Sequence, residues 1–321
     1  KIKISMKCGI VYDSIFEEHQ TGLGHPEQNN RASFVYQKIK DKELLRQTES
    51  IPLRECPMNQ LTLAHDLHYL QSSKEEIELG LPSLSTGDTA ISKQTWKVAS
   101  MVTGGVLNAV DQIVEGKHNH AFCITRPPGH HANRKKGMGF CLFNHVAIAA
   151  RYAQKKHGVG NVLIVDWDVH HGNGTQDIFY EDDSVFFFST HQSPWYPGTG
   201  SRTETGKGIG LGYTLNYPLS AGAGKKEIVD FAFGSELIQK MVRFKPELIL
   251  ISAGFDSRIN DPLGQFQLQD QDFFELTRII LEIAKEYANN RVISVLEGGY
   301  NLDGLASASI SHLQAFLQKN Q

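Results

Sequence analysis

The chain has 321 residues, 40% hydrophobic and 21% charged, enough for one large α/β domain or two small ones and ordinary for a soluble globular protein. A formal net charge of −3 leaves no basic footprint for nucleic acid, so no partner is held by bulk charge. No apolar run reaches the ~20 residues that a membrane-spanning helix needs.

The first residues, Lys1 to Lys7, lack the long apolar core of a signal peptide and read as an added remnant or a trimmed end. Cys8 to Tyr12 predicts a short strand, followed by a polar loop holding Gly22, Gly24 and the triplet His25-Pro26-Glu27. Arg31 to Lys42 predicts a helix, and Gln60 to Glu78 a second. Gly80 to Thr89 is a loop of Gly, Pro, Ser and Asp. From Ser92, a serine cap, to Glu115, apolar residues at Val98, Met101, Val102, Val106, Val110 and Ile113 keep helical spacing. The chain then alternates. Strands are predicted at Ala121 to Thr125, Asn161 to Asp168, Ser184 to Thr190, Tyr213 to Leu219, Glu247 to Ser252 and Arg291 to Leu296. Helices are predicted at Asn144 to Lys156, Lys225 to Phe244, Gln271 to Tyr287 and Leu305 to Leu317. No repeat or linker interrupts this order, so a single domain with a parallel sheet between helix layers is expected. Cys8, Cys56, Cys123 and Cys141 form no Cys-x-x-Cys pair and read as reduced thiols of a cytosolic-type compartment, so a cytoplasmic location is expected.

Ligands of open parallel sheets bind beyond the carboxyl ends of the strands. Five predicted strands here run into reactive residues. Asn161 to Val165 runs into Asp166, Asp168 and His170, spaced by two; in an extended chain these point to one side and suit a divalent metal such as zinc. Ala121 to Thr125 runs into Arg126-Pro127-Pro128-Gly129-His130-His131, and Ser184 to Phe188 into Ser189-Thr190-His191. Glu247 to Ser252 runs into Ala253-Gly254-Phe255-Asp256, and Arg291 to Leu296 into Glu297-Gly298-Gly299-Tyr300. Asp168 and His170 need a third ligand, for which Asp256 is the best candidate. An open position on the metal polarises a carbonyl and activates water. His130 and His131 are adjacent imidazoles able to move protons, and Tyr300 can donate to an oxyanion. The chemistry implied is metal-assisted hydrolysis of an amide or ester. Bland readings compete: a capped strand end, loop histidines, a core tyrosine. The glycine run Gly206 to Gly212 precedes a strand and lacks the Lys-Ser/Thr ending of a phosphate loop, so a flexible loop is expected. His65, His68, His145 and His312 fall in helical stretches and read as structural or surface histidines.

Arg126 to Ala132, Asp166 to Gly174, Ser252 to Asp256 and Glu297 to Tyr300, in this order, resemble the zinc-dependent histone deacetylase family. The resemblance runs from about Gly9 to the last helix. It implies the arginase/deacetylase fold, an eight-stranded parallel sheet between helices, and removal of acetyl groups from lysine side chains or similar amines. It implies zinc on Asp168, His170 and Asp256, a tandem acid/base pair in His130 and His131, and Tyr300 bonded to the substrate carbonyl. By the same resemblance Asp166 orients His130 and binds a structural potassium ion with Ser189 and main-chain oxygens of Asp168, His170 and Thr190. A second potassium site would involve Phe179, Asp182, Val185 and Tyr213. Phe140 and Tyr196 would wall the acyl-lysine tunnel, with Gly139 and Gly298 beside the substrate. Arg31 would lie near an acetate-release channel, and Asp88 in the rim would bind substrate backbone. Asn173 stands where one branch has aspartate beside the second histidine. It and His25-Pro26-Glu27 resemble the class II branch, and Tyr196 replaces the commoner phenylalanine.

The first functional expectation is a deacetylase acting on an acetylated protein or peptide. An acetylpolyamine amidohydrolase is the alternative enzyme, but those relatives carry a long rim insertion and Gly80 to Ser92 is short. A non-catalytic binder of acylated lysine would have a degenerate site. Arginase-like hydrolysis needs two metals and more carboxylates, and an aromatic lining suits an aliphatic stem better than guanidinium.

Overall fold

A computed structural model describes residues 8–318; Lys1 to Lys7 lie outside the described residues. Eight parallel strands form one sheet in the order β2-β1-β3-β8-β7-β4-β5-β6. They are β1 (Cys8–Val11), β2 (Thr48–Ser50), β3 (His120–Cys123), β4 (Val162–Asp166), β5 (Val185–Gln192), β6 (Thr214–Leu219), β7 (Leu248–Ala253) and β8 (Val292–Leu296). The α-helices are α1 (Arg31–Asp41), α2 (Met58–Leu61), α3 (Leu67–Glu78), α4 (Thr95–Val114), α5 (His145–His157), α6 (Asn173–Phe179), α7 (Ile238–Phe244), α8 (Asp270–Tyr287) and α9 (Leu302–Leu317). The architecture expected from strand–helix alternation is the one observed.

The physical cause is legible in β4. Leu163 and Val165 face one hydrophobic core, while Val162 and Ile164 face the other. A strand apolar at every position can only be covered on both sides, and helices supply both covers. Each such side chain contributes on the order of 1.5–3 kcal/mol by leaving water. The five strands with reactive ends, β3, β8, β7, β4 and β5, are consecutive across the middle of the sheet. Their carboxyl ends therefore open onto one shared site.

Several expectations need correction. The strand predicted over Asn161 to Asp168 stops at Asp166, so Asp168 and His170 lie in the bend beyond it rather than in extended chain. The helix predicted over Gln60 to Glu78 breaks into α2 and α3. The break buries His65, which accepts from Asn144 N at 2.9 Å and lies 2.8 Å from Asn133 O. Ser92 is not a helix cap: its hydroxyl accepts from Gln20 N at 3.1 Å, and the helix starts at Thr95. The helix predicted over Lys225 to Phe244 is π-wound from Lys226 to Leu237 before α7. The edge strand β2 and the helix α6 were not anticipated; both are short, and Asn173-Gly174 opens α6 without apolar periodicity. The glycine run is held by its backbone, with Lys207 N donating to Tyr180 O at 2.7 Å and Gly212 N to Thr205 O at 2.6 Å. Among the described residues no helix is long and apolar enough to cross a membrane, and all four cysteines are buried and unpaired.

Candidate active site

Asp168, His170 and Asp256 each offer a ligand atom within 4.8 Å of the others, and all three are buried. They are the only such group able to hold a metal ion among the described residues. His170 Nδ1 lies 2.9 Å from Asp168 Oδ1 and 3.2 Å from Asp256 Oδ2. One ring N–H cannot serve both, and Asp256 Oδ2 has no hydrogen-bond partner. Burial and the charge of Asp168 push the Asp256 carboxyl up to about 7. Burial opposes charge on His170, but the hydrogen bond to Asp168 and the close carboxylate of Asp256 outweigh it and raise it to about 10. Two crowded, buried carboxylates and an imidazole are a donor set that calls for a cation. The cradle is cut close. A Cβ at Gly254 would stand 2.1 Å from Asp168 Oδ2, and one at Gly298 2.1 Å from Asp256 Oδ2. The residues therefore fit a small divalent ion.

The histidine pair divides into two electrostatic states. His130 Nδ1 is 2.8 Å from Asp166 Oδ2. Burial would lower its pKa, but the charges of Asp166 and Asp168 raise it well above the ordinary value. Glu297, wholly buried, accepts from Gly129 N at 2.6 Å and His130 N at 3.1 Å and fixes this loop from below. His131 Nδ1 is 2.7 Å from Asn173 Oδ1, and burial, then His130 and His170, hold it well below the ordinary value. Asn173 Nδ2 donates to Met138 Sδ at 3.4 Å, which orients its carbonyl oxygen toward His131. His131 is thus neutral, with the proton on Nδ1 and Nε2 free.

A cavity of about 240 Å³ leads to these groups, lined by Asp88, His131, Gly139, Phe140, His170, Trp195, Tyr196, Leu263 and Tyr300. Phe140 holds φ +68°, a strained conformation for a bulky side chain. Tyr196 meets His131 edge-on at 5.2 Å. Gly139 sits at φ +56°, and a Cβ there would lie 2.2 Å from the His131 ring. Only glycine permits that approach. Burial, and next the charge of Asp256, push the Tyr300 hydroxyl well above its ordinary pKa, so it stays protonated.

Of the remaining expected site residues, Asp88, Asp166, Ser189 and Arg31 surround these groups. Gly298 does not line the cavity; its N–H donates to Asp168 Oδ2 at 2.9 Å. Arg31 is buried and donates to Gly299 O, Glu297 O and Glu27 Oε1 at 2.7, 2.8 and 3.1 Å, with its guanidinium 4.9 Å from the Tyr300 ring centre. Asp88 Oδ1 accepts from Gly139 N at 2.6 Å and the Tyr196 hydroxyl at 3.3 Å. Asp166 and Ser189 are register partners on β4 and β5, next to buried Thr190. At the other proposed potassium site, Asp182 is paired with Arg151 at 2.5 Å, and that guanidinium lies 4.6 Å from the Phe179 ring centre.

Four supports were not singled out from the sequence. Glu27 takes Arg126 in a two-pronged pair at 2.8 and 2.6 Å, all buried. Trp195 Nε1 donates to Leu263 O at 2.8 Å and ties two sides of the mouth together. Glu297 and Asp261 are buried carboxylates that hold backbone N–H groups. Glu27, Arg126 and Glu297 stood inside quoted motifs, where only charge at a buried turn could have marked them.

An eight-stranded parallel sheet with carboxylates, histidines and a tyrosine gathered at its central strand ends defines an arginase/deacetylase fold. The sequence profile of the histone deacetylase domain matches residues 25–316. "Histone deacetylase 10, chloroplastic" of Oryza sativa subsp. japonica is 38% identical over 309 residues, covering 91% of this chain and 70% of the rice protein. "Polyamine deacetylase HDAC10" of Homo sapiens is 37% identical over 302 residues, covering 91% of this chain and 44% of the human one. The crystal structure of the HDA15 HD domain superposes with a TM-score of 0.91 at 32% identity, covering 97% of this chain and 91% of that one. The chain belongs to the histone deacetylase family, with class II-like features.

Proposed function

We propose that the protein is a zinc-dependent deacetylase that hydrolyses the amide of Nε-acetyl-lysine in a protein or peptide. The observation that carries this reading is the convergence of Asp168, His170 and Asp256 with a neutral His131 and a protonated Tyr300 on one aromatic-walled tunnel. Two carboxylates and an imidazole would hold zinc with a position left open, where it would polarise the acyl carbonyl and activate water. His131 takes the proton of the attacking water on its free Nε2 and passes it to the leaving amine. Asn173 keeps that nitrogen free by holding the other one. His130 stays charged against Asp166 and favours negative charge forming on the acyl oxygen. Tyr300 donates its hydroxyl proton in a hydrogen bond to that oxygen. Phe140 and Tyr196 flank the aliphatic stem of the lysine, and Asp88 at the rim accepts from the peptide backbone. Potassium at Asp166 and Ser189, and a second ion at Phe179, Asp182, Val185 and Tyr213, would be structural.

A second reading has a specific basis in the polyamine deacetylase relative. An acetylated polyamine carries further ammonium groups, and these need carboxylates near the mouth. Asp88 is the one carboxylate among the lining residues, and it stands with Leu263 and Trp195. That mouth favours a neutral peptide backbone. Rates measured side by side on an acetyl-lysine peptide and on acetylated polyamines test the choice. The expected result is a kcat/KM at least about tenfold higher for the peptide; a preference of that size for polyamines would reverse the assignment.

A further inference from the structure

Asp261 lies five residues beyond Asp256, and its carboxylate is engaged by the chain's own backbone. It is only 9% exposed. One oxygen accepts from Leu263 N at 2.9 Å; the other accepts from Tyr300 N at 2.7 Å and Asn301 N at 3.2 Å. Leu263 and Tyr300 both line the tunnel. A single buried side chain therefore ties two walls of the tunnel from behind.

Asp261 is the anchor on the N–H of Tyr300 itself, in a turn where Gly298 N–H is held by Asp168 and Gly299 O by Arg31. Tyr300 follows Gly298 and Gly299, and Gly299 sits at φ +121°, a region open to glycine. Two consecutive glycines give that turn little stiffness of its own. The Tyr300 hydroxyl makes no hydrogen bond within the described residues, and its ring is met by Arg31 at 4.9 Å and edge-on by Phe140 at 6.1 Å. Tyr300 and Pro262 also border a second cavity of about 610 Å³. The tyrosine is thus a buried wall shared by two cavities, and its own N–H is anchored by Asp261.

We propose that Asp261 is a positioning residue that sets the Tyr300 hydroxyl above the Asp168, His170 and Asp256 cluster and couples it to Leu263 at the mouth. This rests on Tyr300 acting as the oxyanion donor. Asp261→Asn keeps the size and one acceptor oxygen but turns an amide NH2 toward backbone donors. A double-mutant cycle with Tyr300→Phe, on whichever acetylated substrate is turned over fastest, separates positioning from general support. Asp261→Asn alone is expected to lower kcat roughly tenfold to a hundredfold, as a misplacement of up to ~1 Å does, with KM changed less than about threefold. In the Tyr300→Phe background the same change is expected to lower kcat less than about twofold, because nothing is left to position.

Equal losses in both backgrounds would make Asp261 a structural residue and overturn the proposal. So would full turnover of the single variant. If Asp261→Asn does not fold, Asp261→Glu, which keeps the charge and moves it by one methylene, runs the same cycle with the same expectation. A large loss in Tyr300→Phe without coupling sinks the proposal alone. Normal turnover in Tyr300→Phe removes the tyrosine from the reaction, and the proposal falls with it.

Discussion

His131→Ala is expected to lower turnover by roughly 10²–10⁴-fold, the range for loss of a positioned acid–base group. The argument rests on the contrast between two adjacent rings. His130 is pinned to Asp166 and kept charged, so it cannot accept a proton. His131 is buried, repelled by its charged neighbours and bonded to a neutral amide, so it is the ring with a lone pair to use. The sign of its pH dependence follows. Activity needs neutral His131 and falls on the acid side as it gains a proton. Burial and neighbouring charge hold its pKa well below the ordinary 6.5, so the acid limb of kcat/KM is expected below that value. A cation on the adjacent ligands pushes it the same way. Steady-state kinetics on purified His131→Ala check the first point; turnover within a few-fold of wild type would move the proton transfer elsewhere.

Tyr300→Phe is expected to lower kcat by roughly 10²–10³-fold, the loss seen when one oxyanion donor is removed. The phenol is buried, protonated and lines the same cavity as His170, so it is worth more than a donor in water. The ring itself remains, so the wall beside Phe140 survives and KM is expected to change little. Single-turnover rates with circular dichroism to confirm folding make the test. A variant that loses affinity while keeping its rate would make Tyr300 a binding residue only.

Much of this was legible in the sequence because its causes are local. Apolar runs such as Val162 to Val165 bury on both faces whatever surrounds them, and the glycines and charges that follow mark the strand ends. The three ligand candidates come together as expected, although Asp168 and His170 do so from a bend rather than by strand alternation. What stayed hidden depends on distant partners. Nothing near Asp261 in sequence says that its carboxylate reaches Tyr300, 39 residues on. Glu27 meets Arg126 across 99 residues. The break at His65 answers to Asn133 and Asn144, not to a glycine or proline. The Ser92 hydroxyl, a good cap by type, is taken by Gln20 from another loop. Competition among tertiary partners decides such cases, and pattern alone does not carry it.

Everything in the mechanism depends on Asp168, His170 and Asp256 gripping one divalent ion. Metal content by mass spectrometry, on wild type and on Asp256→Ala, addresses that directly, alongside activity in chelator and after zinc is restored. About one zinc per wild-type chain, little in the variant, and activity that leaves with chelation and returns with zinc are expected. Full deacetylation by metal-free protein, or undiminished zinc in the variant, would contradict the account.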